Sequence, residues 1–195
     1  MKQLVFVTLA IVALGLAAPV MAEEEPAERP RVLMKTSLGD IVIELNPEQA
    51  PISVQNFLSY VDDGFYDGTI FHRVMSGFMI QGGGFMENLE KKPTKEPIKN
   101  EATNGLKNTA GTIAMARTPI IDSATAQFFI NTADNGRLDH RSPNQSGYGY
   151  AVFGRVVGGL NVVKNIESVQ TDSRGRMRNV PNETVTILSV ARHSE

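Results

Sequence analysis

From Arg31 onward, apolar residues return at every second position, and the chain then breaks repeatedly into short stretches. Val32, Met34 and Thr36 fall on one face, Leu38-Gly39-Asp40 turns, and Ile41, Ile43 and Leu45 follow on the return. Strand side chains alternate between faces, so this is a β-hairpin with one buried side. Similar runs recur at Ile70–Val74, Phe78–Gln81, Gly111–Ala116, Gln127–Asn131, Ala151–Val157 and Thr184–Ala191, bounded by Gly, Asn, Asp or Pro. Only two helices interrupt them. Pro51 opens the first, with Val54, Phe57, Leu58 and Val61 at helical spacing and Gly64 closing it; the second covers Leu160–Ile166. Many short strands with two helices predict a mainly β protein, a closed antiparallel barrel whose ends the helices cover. Glu87–Lys107, rich in Lys, Glu, Pro and Asn, reads as a long surface loop.

A chain of 195 residues that is 42% hydrophobic and 21% charged can build one real core, which excludes disordered, collagen-like and coiled-coil classes. There is no Cys, so disulfides, thiolate metal sites and cysteine nucleophiles are excluded. Charge is uneven along the sequence. Lys2 is alone in residues 1–22, and residues 23–30 hold four Glu and one Arg. The remaining 31–195 balance 17 basic against 17 acidic side chains. A neutral domain has no electrostatic footprint for nucleic acid or an anionic membrane.

Lys2, the apolar run Leu4–Ala18 and then Pro19-Val20-Met21-Ala22 follow the order of a secretory signal, residues 1–22, with cleavage after Ala22. An uncleaved membrane anchor is the alternative, since Leu4–Ala22 nearly spans a bilayer; Pro19 and the small residues favour cleavage, which leaves no stable membrane insertion. Residues 23–30 form an acidic, proline-containing linker with nothing to bury, and residues 31–195 form the folded domain.

Hydrolytic chemistry lacks its parts. His72, His140 and His193 have no metal-ligand spacing, carboxylate pair or Gly-x-Ser-x-Gly elbow beside them. His140, in Asp139-His140-Arg141, reads as a turn residue. Gly82-Gly83-Gly84 follows a strand without a phosphate-binding lysine, so close backbone packing is its better reading. Arg174, Arg176 and Arg178 around Gly175 read as a solvated basic loop. What stands out is Phe71-His72-Arg73-Val74-Met75-Ser76-Gly77-Phe78-Met79-Ile80-Gln81, an Arg and a Gln among large apolar residues. Period two puts Phe71, Arg73 and Met75 on one face. With Gln127-Phe128-Phe129-Ile130, this is an apolar groove with an embedded arginine.

Those residues resemble the cyclophilin-type peptidyl-prolyl cis–trans isomerases. Phe71-His72-Arg73 with Phe78-Met79-Ile80-Gln81-Gly82-Gly83 carries the likeness, and Ile113-Ala114-Met115-Ala116, Gln127-Phe128-Phe129-Ile130 and Phe153-Gly154-Arg155-Val156 extend it. Asn56-Phe57 and Gly64-Phe65-Tyr66-Asp67-Gly68 also fit, so the resemblance runs from about Val32 to Ala191. It implies a closed eight-stranded antiparallel barrel capped by two helices. It also implies acceleration of X-Pro bond rotation in proline-containing segments of unfolded or folding proteins, without a cofactor or metal.

Carried over by position, the resemblance makes Arg73, Gln81 and Phe78 the catalytic set. His72, Met79, Ala116, Arg117, Gln127, Phe129, Leu138 and Tyr150 would contact substrate, Arg117 through its backbone. Tyr150 stands where many relatives have His. Arg137 stands where the family has Trp or another aromatic, the residue the drug cyclosporin needs, which implies weak cyclosporin binding with catalysis retained. The wording Ala116-Arg117-Thr118 and Asp122-Ser123-Ala124-Thr125, with no Trp in the chain, resembles the Gram-negative periplasmic branch. With the signal, that implies an exported, periplasmic folding catalyst. A monomer is expected, because no long apolar stripe is left over. The alternative from a different class is a proline-peptide-binding chaperone module whose isomerase activity is incidental.

Overall fold

The computed structural model describes residues 29–193. The expected signal peptide and most of the acidic linker lie outside the described residues. The linker's last two residues lie inside, where the Leu45 N–H donates to the Pro30 carbonyl (2.8 Å).

The element order is β1 (Arg31–Thr36), β2 (Gly39–Leu45), α1 (Pro51–Asp62), β3 (Thr69–Met75), β4 (Met79–Met86), β5 (Thr112–Met115), β6 (Phe128–Asn131), a 3₁₀ turn (Gly136–Leu138), β7 (Val152–Gly158), α2 (Leu160–Glu167), β8 (Thr171–Arg174), β9 (Met177–Pro181) and β10 (Ile187–His193). Eight strands form one antiparallel sheet in the order β10-β1-β2-β7-β5-β6-β4-β3, and β8–β9 is a separate hairpin. The basic stretch around Gly175 is this hairpin's tip, with Arg174, Arg176 and Arg178 exposed.

The sheet curls until its edge strands meet, but no full ladder joins them. One bridge, Ile70 to Thr186, and bonds from the Phe71 N–H to Val185 O and the Gly68 N–H to Ile187 O (both 2.9 Å) span the seam. The barrel is therefore a curled sheet with an open seam. This is also why β10 begins at Ile187 and not at Thr184: Val185 and Thr186 serve β3 across the seam before the chain joins β1.

The first hairpin follows its alternation, with Val32, Met34, Thr36, Ile41, Ile43 and Leu45 all buried. In α1, Val54, Phe57, Leu58 and Val61 face the core. Its first turn has no acidic residue of its own. Glu101, from the long 87–107 loop, accepts the Ile52 and Ser53 N–H groups at 3.0 and 2.7 Å, supplying the cap the local sequence lacks. The loop is thus pinned as well as exposed: the Lys95 N–H donates to the Tyr60 hydroxyl (2.8 Å) and Asn104 Nδ2 to the Val152 carbonyl (2.9 Å).

Inside the barrel, Phe57 lies 5.2 to 5.8 Å from Tyr66, Phe128 and Phe153. A second apolar cluster of Met79, Ala114, Phe129 and Val152 lies on the other face of the same strands. Alternation produces both faces. Phe128 and Ile130 point into the barrel while Phe129 points out, and Ile113 and Met115 flank the outward Ala114.

Candidate functional site

The outer cluster floors a groove of about 190 Å³ lined by Arg73, Phe78, Met79, Gln81, Ala116, Arg117, Phe129, Leu138 and Tyr150. Sheet register brings them together. β4 pairs Met79 with Asn131 and Gln81 with Phe129 on β6, and β5 pairs Ala114 with Phe129. The other wall comes from the 3₁₀ turn and the strand approach to β7. There the Tyr150 N–H donates to Leu138 O (2.9 Å), and the Tyr150 ring stands edge-on to Phe129 at 5.6 Å.

Arg73 reaches the groove through a β-bulge. Phe71 pairs with Gly82 and Arg73 with the adjacent Gln81, so His72 is an extra residue on β3. The simple alternation that put Phe71 on the face of Arg73 is therefore corrected. Phe71 belongs to the barrel core, with Val74, whereas Arg73 and Met75 are half-buried on the groove side. The Arg73 guanidinium donates from Nη1 to Gln81 Oε1 (3.4 Å) and from Nη2 to Met75 Sδ (3.1 Å). It makes no ion pair with a carboxylate among the described residues. Gln81 Nε2 donates in turn to Gln127 Oε1 (3.0 Å), so Gln127 braces a lining residue and is not itself among the lining.

His72 is not brought to the groove lining. Its ring is 4% exposed, 4.6 Å from Phe85, and Nδ1 has no hydrogen-bond partner. Burial, with the neighbouring Arg73 charge, pushes its pKa down from 6.5 to about 4, partly opposed by the nearby Ile70 backbone, which makes no well-formed bond to Nδ1. It is a neutral buried imidazole at ordinary pH. His140 is a turn residue, its Nδ1 bonded to the Tyr148 carbonyl at 2.8 Å.

Arg117 spends its side chain on the protein. Nε donates to Gly149 O (2.9 Å), Nη1 to Thr118 O and Pro119 O (3.0 and 3.2 Å) and Nη2 to Gln145 O (3.2 Å), with Cζ 4.8 Å over the Tyr150 ring. The triple glycine lets β4 pass close to the core. At Gly83, φ is +75° and a Cβ would meet the Phe128 ring at 2.6 Å, while at Gly84 it would collide with the Gln127 side chain.

Three supports were not legible in the sequence. Asn135 Nδ2 donates to the Phe78 carbonyl (2.7 Å), and the Thr132 N–H shares that acceptor (3.0 Å). Glu167, buried at the end of α2, accepts the Gly77 N–H (2.8 Å) in the turn leading into Phe78. Arg137 lays its guanidinium 4.4 Å over the Phe78 ring. Asn135 and Glu167 act across 57 and 90 residues of sequence, and no local pattern marks such partners. The Arg137 contact is local to the site, and the departure from an aromatic at that position was its one visible sign.

A larger cleft, about 270 Å³, lies between β2, β7 and residues 106–112. It has no aromatic floor, and Arg155 and Glu44 on its rim are already paired at 3.1 Å. The Arg73 groove has what the cleft lacks: an aromatic floor, and a guanidinium with no carboxylate bound to it.

The family described as cyclophilin type peptidyl-prolyl cis-trans isomerase/CLD matches residues 31–192. The chain is 48% identical over 188 residues to peptidyl-prolyl cis-trans isomerase A of Dickeya dadantii, covering 96% of each chain. It is 55% identical over 159 residues to isomerase B of Escherichia coli, covering 82% of this chain and 97% of that one. Among solved structures, a Cryptosporidium parvum cyclophilin type isomerase in the presence of the dipeptide Ala-Pro superposes with a TM-score of 0.73 at 26% identity. That match covers 85% of this chain and 99% of the other. An outward-facing arginine above an aromatic floor, on a barrel of this strand order, is thus the groove of a family whose matches run the length of the domain, and the chain belongs to the cyclophilin-type peptidyl-prolyl cis–trans isomerases.

Proposed function

We propose that the protein is an exported folding catalyst of a Gram-negative periplasm, a monomer that turns X-Pro bonds of incompletely folded chains with Arg73 as its central group. The observation that carries the residue assignment is the position of Arg73, bulged onto the groove face beside Gln81 and, among the described residues, without a carboxylate partner. The export assignment draws on the signal-like order of residues 1–22.

A prolyl amide rotates over a barrier of about 18–20 kcal/mol because twisting breaks C–N resonance. No bond to the substrate has to form, so neither nucleophile nor metal is required. The groove has to favour a twisted, pyramidal nitrogen over a planar one. As the amide twists, the prolyl nitrogen regains a lone pair to which Arg73 donates; the planar ground state offers none. A preorganised donor of this kind is worth about 3–4 kcal/mol, whereas a 10⁵-fold acceleration needs about 7 kcal/mol.

The apolar floor supplies the remainder. Met79 and Phe129, both nearly fully buried, hold the ring with Phe78 and Leu138 and exclude water from an amide that is more polar when planar. Gln81, fixed by Gln127, anchors the flanking peptide. Ala116 and the Arg117 backbone complete the peptide wall. Arg137, in place of the aromatic, leaves cyclosporin without a large flat contact and makes its binding weak.

Two measurements test this reading. Cis–trans exchange of a short X-Pro peptide, followed by NMR with the chain from Glu23, is expected to accelerate strongly and to collapse in Arg73→Ala with an unchanged circular dichroism spectrum. Exchange no faster than the free peptide, with the peptide still bound, would make this a proline-recognising chaperone module. Fractionation of cells expressing the full chain is expected to find a product beginning at Glu23 in the periplasm; an uncleaved cytoplasmic product overturns the export assignment.

A further inference from the structure

Charge at the groove is one-sided. The lining contains Arg73 and Arg117 and no carboxylate, and Arg137 adds a third guanidinium over the face of Phe78. Two of the three are engaged with neutral atoms: Arg117 with backbone carbonyls, Arg73 with Gln81 and Met75. Arg137 is exposed and, among the described residues, has no carboxylate partner.

Nearby acids are committed elsewhere. Asp139 accepts the Asn108 N–H (2.8 Å) and lies 3.8 Å from Lys107 Nζ. Asp134 accepts the Ala110 N–H (2.9 Å), and Glu167 pairs with Lys164 (2.9 Å). The excess is local, since residues 31–195 balance 17 basic against 17 acidic side chains. A guanidinium held over a ring is preorganised, so it loses less freedom than a swinging lysine when it takes a carboxylate.

We propose that Arg137 is a specificity-determining residue, selecting X-Pro segments that carry a carboxylate side chain close to the proline and disfavouring lysine or arginine there. The proposal rests on the isomerase reading and names the substrate class of that same groove. Phe78 floors the groove, so the guanidinium stacked on it stands at the rim, beside whatever flanks a prolyl ring seated there. One exposed pair gives a modest, salt-sensitive discrimination, not an absolute one.

The test compares kcat/KM, by NMR exchange, for matched peptides sharing one X-Pro core. Glu, Gln or Lys is placed two residues after the proline in one series and two before it in the other. Expected in at least one series is a Glu-over-Lys ratio of about two- to five-fold at low salt, shrinking at high salt. Arg137→Gln brings that ratio towards one and Arg137→Glu inverts it. The ratio is taken within each variant, so a loss of folded protein cancels. Ratios of one in both series, or a ratio that survives Arg137→Glu, overturn the assignment. Acceleration of no peptide at all overturns the isomerase reading itself, and this proposal with it.

Discussion

Phe71 and Arg73 stand two positions apart on β3 yet pair with adjacent residues of β4, Gly82 and Gln81. The surplus residue turns one side chain into the barrel and the next but one out to the groove. A regular strand would put both on one face, and the guanidinium would then have to enter the apolar core or Phe71 leave it. The aim of Arg73 is therefore a property of the backbone, set before any substrate arrives.

That aim makes shape as important as charge. Arg73 offers a planar fork, one arm on Gln81 and the other on Met75, whereas a lysine would offer a single rotatable ammonium. Arg73→Lys is expected to lose about 10²-fold in kcat/KM, within the range for losing one preorganised donor. Its peptide affinity should be nearly unchanged. Steady-state exchange rates with a titrated peptide check it; activity within threefold of the native protein would mean that charge alone suffices.

His72 sets the acid limit of the fold. Its folded pKa of about 4 lies below the ordinary 6.5, so between these values the unfolded chain binds a proton that the folded one does not. The His72 contribution is full above about pH 6.5, falls as pH drops through that window, and levels off below pH 4. The loss is on the order of 3 kcal/mol. Urea unfolding from pH 7 to 4 checks this. His72→Gln should flatten that slope, and an equally steep slope in the variant would place its origin elsewhere.

Much of this was legible in the sequence, because the chain's periodicity is local. The first hairpin and the four inward residues of α1 follow directly from spacing. So does the split between Phe128 and Phe129, on opposite faces of β6. The bulge at His72 was not legible, since it exists only relative to β4. The seam at Ile70 and Thr186 and the Glu101 cap on α1 depend on partners 116 and 49 residues away in sequence. Motif resemblance named the groove residues, but it gave no sign that His72 would be packed against Phe85 and away from the lining.

If Arg137 stands at the groove rim as proposed, it would bear on inhibitor binding as well as on peptide choice. Its guanidinium occupies the face of Phe78 that an aromatic side chain would otherwise share with a large apolar ligand. Arg137→Trp restores flat apolar area at the groove rim and is expected to tighten cyclosporin by about 10- to 30-fold, the scale of one aromatic anchor. Isothermal titration of both proteins measures it; equal affinities would show that the position does not limit the drug.

Glu167 ties α2 to the turn that carries Phe78. Its buried carboxylate accepts the Gly77 N–H and the Lys164 ammonium, and Lys164 also donates to Thr132 O (2.7 Å). Burial raises its pKa, but the neighbouring Thr132 hydroxyl, Lys164 and the Gly77 N–H outweigh that and leave it below its ordinary 4.5. The Thr132 hydroxyl sits beside the carboxylate without a well-formed bond, so the Lys164 and Gly77 contacts are the secure ones. A carboxyl with a depressed folded pKa contributes stability above its unfolded value and loses it as pH falls through the folded one. Glu167→Gln should therefore cost about 1–3 kcal/mol at pH 7, and the gap to the native protein should narrow as pH is lowered from 4.5. The His72 contribution is common to both proteins and cancels in the difference. The variant should also raise KM more than it lowers kcat, because the turn carrying Phe78 loosens while Arg73, on β3, keeps its place. A gap that stays constant with pH would mean that the charge of Glu167 contributes nothing and that only its shape matters.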